Sequence, residues 1–200
     1  KFYKENNCSA LKFGIETGSQ KILDMMDKVF TTKHVNTALD NCLKLDVYSP
    51  LALMLGMPGE TDETARETGV LIGQRATLHG AHPEDIDYDL FYAIAFPGTP
   101  LYEYGQLTGV IGTTIDQEEQ YLLNVSNSGI YKRYYVNLNG AQLKDVIFWD
   151  WLVKLEASRT YQQNKKFASP GSSNFAEISK RIKEEARKNN PNVGLKYSAI

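Results

Sequence analysis

The fold is decided by the stretch Val47-Tyr48-Ser49-Pro50-Leu51-Ala52-Leu53-Met54-Leu55, which runs directly into Gly56-Met57-Pro58-Gly59. Residues 47–55 form a nearly continuous apolar run, the pattern of a strand buried on both faces of a parallel sheet. Gly56 and Pro58 are strand breakers, so the run ends abruptly. We therefore expect a central parallel strand that stops at a tight turn.

Two similar strand signals flank this stretch, at residues 10–15 and 86–96. Between the three strands the apolar residues follow helical spacing, and Thr31 is suited to cap the helix before the central strand. Strands that alternate with helices at this spacing are typical of consecutive βα units with parallel strands. We predict an α/β fold: a partial (β/α) TIM-type barrel of parallel strands, its C-terminal half, followed by a helical C-terminal extension.

The sequence pattern divides the chain into three parts. Residues 1–110 carry the barrel units, and residues 111–168 form a tyrosine-rich extension whose long helix, at residues 142–161, packs on the barrel. Residues 169–200 begin with the linker Ser169-Pro170-Gly171-Ser172-Ser173 and continue as an amphipathic tail. The tail is read either as a solvated helix or as a binding helix.

Composition limits the classes of function. The chain has 200 residues, 42% hydrophobic, and a net charge of -2, which gives no reason to expect nucleic acid or an anionic membrane as the main partner. No apolar run approaches the roughly 20 residues that span a membrane, and no signal peptide is recognisable. We expect a cytoplasmic protein that acts on a small molecule. Because the chain begins with Lys1 instead of methionine, we expect a further N-terminal segment.

Three strand ends carry distinctive residues. In parallel βα barrels the functional groups gather at the carboxyl ends of the strands, because the loops there converge on one opening. The first predicted strand leads to Glu16, the second to Gly56 and the third to Phe96. These residues are therefore expected to face one cavity.

The motifs at these strand ends have a recognisable order. They are Gly14-Ile15-Glu16-Thr17-Gly18-Ser19, then Lys28, then Leu55-Gly56-Met57-Pro58-Gly59-Glu60-Thr61, then Pro97-Gly98-Thr99-Pro100-Leu101-Tyr102-Glu103 with Gly109 after it. In order and approximate spacing they resemble the later strands of radical S-adenosylmethionine (radical SAM) enzymes. The resemblance covers residues 11–109. It is closest to the cobalamin-binding members, because methylthiotransferases usually have arginine at the position of Lys28.

The resemblance implies roles for Glu16 and Lys28 in binding adenosylmethionine. The position of Glu16 contacts the polar part of the cofactor, and the position of Lys28 faces its carboxylate. Their chemistry suits those tasks, because ribose hydroxyls need an acceptor and a carboxylate needs a cation. The alternatives are a carboxylate that caps the helix after Gly18 and an ordinary exposed lysine at a helix end.

Three further residues are candidates for the cofactor pocket. Gly56 would let the backbone turn tightly beside a ligand, and Met54 and Phe96 would offer apolar surface to adenine. The alternative for Met54 is simply the barrel core. Some family members carry an aspartate for the ribose on the second of these strands, and residues 51–55 contain no acid.

The family's iron–sulfur cluster does not fit this chain. A [4Fe-4S] cluster in these enzymes is held by three cysteines in C-x-x-x-C-x-x-C, whereas the chain has only Cys8 and Cys42. Cys42 lies on the apolar face of its predicted helix and is expected to be core. The ligands of the cluster are therefore expected outside the chain. We assign no catalytic residue and no metal ligand within it.

The resemblance implies that the chain is the C-terminal fragment of a radical SAM enzyme, not an enzyme by itself. The complete protein would cleave adenosylmethionine reductively with its [4Fe-4S] cluster, for radical modification or methyl transfer. Its missing parts would be the N-terminal half of the barrel and, as in the cobalamin-binding members, a cobalamin domain. Two alternatives stay open: an RNA methylthiotransferase, and a degenerate barrel that serves binding or assembly.

Overall fold

The computed structural model describes residues 2–126 and 135–167 as a mixed α/β structure. In chain order the elements are α1 (Phe2–Glu5), β1 (Phe13–Glu16), α2 (Gln20–Met25), α3 (Thr32–Lys44), β2 (Leu51–Leu55), α4 (Asp62–His79), β3 (Tyr88–Tyr92), α5 (Pro100–Leu107), α6 (Ile115–Ser126) and α7 (Leu143–Asn164). Short 3-10 turns cover Pro83–Asp85 and Lys165–Phe167. The predicted linker and tail lie outside the described residues. No described helix has the length and apolar character to cross a bilayer.

The three strands form a parallel sheet in the order β1-β2-β3, as predicted. The strands are shorter than predicted. Ala10 and Tyr48 still form an isolated parallel bridge, but Pro50 precedes β2 and has no N–H to donate, so the ladder is interrupted there. The structure therefore confirms parallel βα units, and the sheet has three strands within the described residues.

The central strand is fully buried on one face only, which corrects the prediction of burial on both. Leu51, Leu53 and Leu55 are at most 2% exposed, and they pack in one cluster with side chains of α4 and α7. Ala52 and Met54, which point to the opposite face, are half-buried. The alternation follows from the twofold period of a strand with helices packed on one side.

Two of the helices that connect the strands start at threonine caps. Thr31 accepts a hydrogen bond from the backbone N–H of His34 and caps α3, as predicted. Thr61 caps α4 in the same way through Thr64. Cys42, on the inward face of α3, is 6% exposed, which confirms it as a core residue. These caps fix where each helix leaves the edge of the sheet.

Helix α7 packs against α4 at unusually close range. A Cβ atom at Gly69 would lie 2.5 Å from the carbonyl oxygen of Val153, and one at Gly73 would lie 2.5 Å from that of Ala157. Trp149 is 2% exposed, and its Nε1 donates a hydrogen bond to Asp62 at 2.6 Å. The glycines thus let the two backbones touch.

The opposite face of α7 is apolar and exposed. Phe148, Trp151 and Leu155 are 53%, 59% and 60% exposed. They follow one another at spacings of three and four residues, so they lie on one side of the helix. The residues of α7 that do pack against α4 and the sheet lie on the face that carries Val146 and Trp149.

Two helices, α5 and α6, lie between β3 and α7 in the chain, and the sequence pattern did not distinguish them. Thr99 caps α5 through the backbone N–H of Tyr102, and Pro100 occupies its first turn. Tyr121 of α6 donates a hydrogen bond to the carbonyl of Ala95 at 2.5 Å. A second apolar cluster, which includes Tyr102 and Tyr121, joins both helices to the chain that leaves β3.

Candidate functional site

The carboxyl ends of the three strands lie along one edge of the sheet. Glu16 pairs with Leu53, and Leu55 pairs with Tyr92, so β1 and β3 both end beside the end of β2. Phe96 follows β3 after a few residues. The structure therefore brings the predicted residues to one edge, which we call the rim. We call residues 56–60 the rim loop.

Glu16 has an unusual backbone. Its φ is 68°, in the left-handed region that non-glycine residues rarely adopt. The N–H of Thr17 bonds the carbonyl of Ile15 at 2.9 Å, so Glu16 is the central residue of a γ-turn. The pairing with β2 is also irregular between Gly14 and Glu16. Strain of this kind is found at sites that hold a side chain for function.

The carboxylate of Glu16 is paired with Lys28. Lys28 Nζ donates to Glu16 Oε1 at 3.0 Å. The side chains of Lys28 and Glu16 are 34% and 22% exposed, so both remain accessible from solvent. A Cβ atom at Gly14 would lie 3.0 Å from Glu16 Oε1, which shows that the carboxylate folds back over Gly14. The acceptor and the cation expected of the site are therefore adjacent.

Apolar side chains lie along the same rim. Met54 of β2 is half-buried and packs against a small cluster that contains Ile22, Met57 and Ala93. That cluster joins α2, the rim loop and the end of β3. Phe96 is 55% exposed beyond β3, in a turn closed by Thr99. The rim therefore offers both charged and apolar surface.

The rim loop contains a buried carboxylate, which was not among the residues predicted for the site. Glu60 is 3% exposed, and its Oε2 accepts hydrogen bonds from the backbone N–H groups of Gly56 at 2.5 Å and Met57 at 3.3 Å. Its Oε1 is buried and has no hydrogen-bond partner among the described residues. Burial raises the pKa of Glu60 to about 7, although the two backbone hydrogen bonds oppose the shift.

Two side chains from a later part of the chain donate hydrogen bonds to the rim loop. Tyr135 donates its hydroxyl proton to the carbonyl of Gly56 at 2.8 Å, and Asn139 Nδ2 donates to the carbonyl of Met57 at 2.7 Å. Neither residue was predicted from the sequence. A glycine-rich turn gives no indication of which distant side chain will contact it, so the motif alone did not reveal them.

The buried carboxyl of Glu60 makes stability depend on pH. Because its folded pKa is about 7 and its ordinary value is 4.5, the folded state holds the extra proton between these values. Stability is therefore lost as pH rises through 7. We expect Glu60→Gln to remove this loss, which amounts to about 3 kcal/mol. Urea unfolding of both proteins from pH 4.5 to 8 measures the difference.

The comparison separates the effect of Glu60 from that of His79, another buried group whose pKa is shifted. Burial lowers the pKa of His79 to about 4, so His79 contributes stability that is lost as pH falls through this value in both proteins. Parallel pH profiles for the wild type and Glu60→Gln would show that Glu60 does not hold its proton in the folded state.

The described residues do not form a metal centre. The cysteines Cys8 and Cys42 are free thiols, and residues 2–126 and 135–167 contain no group of three histidine, cysteine or acidic side chains able to hold a metal ion. A [4Fe-4S] cluster therefore does not fit this part of the chain.

A pocket of about 320 Å³ lies beside the rim, on the helical side. It is lined by α2, α3 and α4 and by the residues that follow Glu16, and its side chains include Gln20, Asn36, Glu67 and Gln74. Its lining includes no lysine or arginine. It shares none of the five predicted cofactor residues.

Comparison with known proteins points to two kinds of transferase. The chain matches no protein-family model. Over 105 residues, 52% of the chain, it is 33% identical to an uncharacterized methyltransferase of Pyrococcus horikoshii, of which the match covers 21%. The matches thus involve about half the chain and about a fifth of the curated relatives.

Four further curated relatives are enzymes of the same name from different bacteria. The tRNA-2-methylthio-N(6)-dimethylallyladenosine synthase of Vibrio parahaemolyticus is 29% identical over 101 residues, which is 48% of the chain and 19% of that protein. The enzyme of the same name from Opitutus terrae is 27% identical over 103 residues, 49% of the chain and 19% of that protein. The relatives are therefore a methyltransferase and methylthiotransferases, at low identity.

Proposed function

We propose that this chain is part of a radical SAM enzyme that transfers a methyl or methylthio group, and that it supplies part of the adenosylmethionine pocket. The observation that supports this most is the Glu16–Lys28 ion pair at the carboxyl edge of a parallel sheet. The methyltransferase and methylthiotransferase relatives support the same class of reaction.

The rim suits the chemical groups of adenosylmethionine. Glu16 would accept hydrogen bonds from hydroxyl groups, and Lys28 would bind the α-carboxylate. Without a ligand the two side chains pair with each other at 3.0 Å, so binding exchanges that ion pair for contacts with the ligand. Met54 and Phe96 would cover the adenine. Bound adenosylmethionine supplies a sulfonium that carries a methyl and a 5′-deoxyadenosyl group.

We also infer that the three-stranded sheet is part of a larger barrel. The face of the sheet that carries Ala52 and Met54 is half-buried, whereas parallel sheets are usually covered on both faces. We propose that this face is the inside of a (β/α) barrel. The cluster ligands would lie in another segment of the complete protein, and cobalamin would be a second cofactor there.

A second candidate is the modification of RNA by methylthio transfer. It is favoured by the four curated methylthiotransferases that match about half the chain. Mass spectrometry of tRNA nucleosides from cells with and without the gene would distinguish it from a small-molecule reaction. Loss of a methylthio-modified nucleoside in the deletion strain would establish this candidate.

The proposal predicts that the full-length protein binds adenosylmethionine. Calorimetric titration after anaerobic reconstitution with iron and sulfide, with absorbance recorded at the cluster band, measures this directly. Lys28→Ala should weaken binding about tenfold, the effect of losing one charged hydrogen bond. Lys33→Ala, an exposed lysine of α3, is the matched control and should bind as the wild type does.

Each result has a defined meaning. Binding that depends on Lys28 supports the enzyme. A reconstituted wild type that binds no adenosylmethionine would contradict the proposal and would leave a barrel used for binding or assembly.

A further inference from the structure

The backbone of the rim loop is hydrogen-bonded at consecutive positions. Glu60 accepts the N–H groups of Gly56 and Met57, Tyr135 donates to the carbonyl of Gly56, and Asn139 donates to the carbonyl of Met57. Three consecutive peptide groups at the end of β2 are therefore fixed by side chains. Two of these side chains come from a segment about eighty residues further along the chain.

The ring of Tyr135 fits Gly56 specifically. Gly56 has a φ of 83°, and a Cβ atom there would lie 2.7 Å from the hydroxyl and 2.8 Å from two ring carbons of Tyr135. Tyr135 is 8% exposed, and its ring centroid lies 5.1 Å from that of Tyr92. Gly56 is therefore required both by its backbone conformation and by the aromatic ring that takes the place of a side chain.

Asn139 is itself held in place before it contacts the loop. Its Oδ1 accepts the N–H of Ala141 at 3.1 Å, and its own N–H donates to Asn137 Oδ1 at 3.1 Å. Its Nδ2 reaches the carbonyl of Glu60 at 3.0 Å as well as that of Met57. One amide thus bridges both ends of the Met57–Glu60 turn.

We propose that Tyr135 and Asn139 are positioning residues for the adenosylmethionine site. This inference rests on the proposed function. They act through the rim loop: by fixing its backbone before the ligand arrives, they remove the cost of ordering the loop on binding. The affinity of the rim therefore depends on side chains outside the βα units that carry its motifs.

The test compares two tyrosines that touch each other. Tyr135→Phe keeps the ring against Gly56 and removes only the hydroxyl that donates a hydrogen bond to the carbonyl of Gly56. Tyr92→Phe is the matched control, because it removes a hydroxyl that bonds the carbonyls of Val146 and Ile147 in α7 and none in the rim. Asn139→Asp is a second variant, which keeps the acceptor for Ala141 and removes both donors to the loop.

Two readouts are measured on the full-length protein, hydrogen exchange of the peptide that spans residues 56–60 and affinity for adenosylmethionine. In Tyr135→Phe, which loses one hydrogen bond to the loop, we expect exchange of that peptide to accelerate and affinity to fall, each by about fivefold. Asn139→Asp loses two hydrogen bonds to the loop, and we expect its effects on both readouts to be at least as large. Tyr92→Phe should change the exchange of α7 peptides and leave both rim readouts as in the wild type.

Two results would overturn the inference. One is unchanged exchange of residues 56–60 in both folded rim variants. The other is faster exchange with unchanged affinity, which would show that these hydrogen bonds order the rim loop without contributing to ligand binding. A wild type that binds no adenosylmethionine would instead overturn the proposed function. The exchange data would still show whether Tyr135 and Asn139 order the rim loop.

Discussion

Replacing Glu16 by glycine is expected to remove most of the affinity for adenosylmethionine and yet to leave a more stable fold than replacing it by alanine. Both changes remove the carboxylate that pairs with Lys28 at 3.0 Å, which corresponds to a loss of affinity of about ten- to a hundredfold. They differ in the backbone, because the φ of Glu16 is 68° and glycine alone adopts this conformation without cost.

The difference in stability is measurable. We expect the glycine variant to exceed the alanine variant by about 1 kcal/mol in free energy of unfolding, and so to melt about 2–4 °C higher. Thermal unfolding and calorimetric titration of the same samples measure both effects. A glycine variant that melts below the alanine variant would show that Glu16 is not strained.

Lys12→Ala is the control for this experiment. Lys12 forms an ion pair with Asp89 towards the amino ends of the same strands, so its loss should leave the affinity at the rim unchanged. An equal loss of binding in Lys12→Ala and the Glu16 variants would mean that the binding site is not at the carboxyl edge of the sheet.

Replacing Gly73 by leucine should separate α7 from α4. A Cβ atom at this position would lie 2.5 Å from the carbonyl oxygen of Ala157 and 2.6 Å from Cβ of Thr160, and neither can move without shifting α7. We expect a loss of at least about 3 kcal/mol, the upper range for overpacking, and a fall in melting temperature of about 6–12 °C.

The neighbouring residue provides the matched control. Gln74 lies on the exposed side of α4, and Gln74→Leu introduces the same side chain where it meets solvent. Its free energy of unfolding should stay within about 0.5 kcal/mol of the wild type. Denaturant unfolding that gives the two variants equal stability would contradict the close packing of α4 and α7.

The order of strands and helices was predictable because each element carries a local signal. The apolar run at residues 47–55, the breakers at Gly56 and Pro58 and the cap at Thr31 are properties of neighbouring residues. Thr99 and Pro100 carried a helix-start signal of the same kind, but no helix was predicted there. The rim residues followed from the rule that parallel strands end at one edge.

What the sequence could not predict depends on distant contacts. Nothing near Glu16 indicates a left-handed backbone, because the γ-turn arises where β1 pairs irregularly with β2. Nothing near Gly69 or Gly73 reveals that the backbone of α7 occupies the space that a side chain at these positions would need. The same holds for Glu60, which lies just before α4 and whose carboxylate turns back to accept a hydrogen bond from the N–H of Gly56.

The hydrogen bond between Tyr135 and Gly56 also has a consequence for the order in which the protein folds during synthesis. The two residues are 79 positions apart, and a contact over such a span forms only after the entropy of closing the intervening chain is overcome. Synthesis proceeds from the N-terminus, so a nascent chain that has reached α5 already contains the rim loop and lacks the side chains that fix its carbonyls. We expect the rim to be among the last parts of the fold to mature, well after the sheet on which it stands.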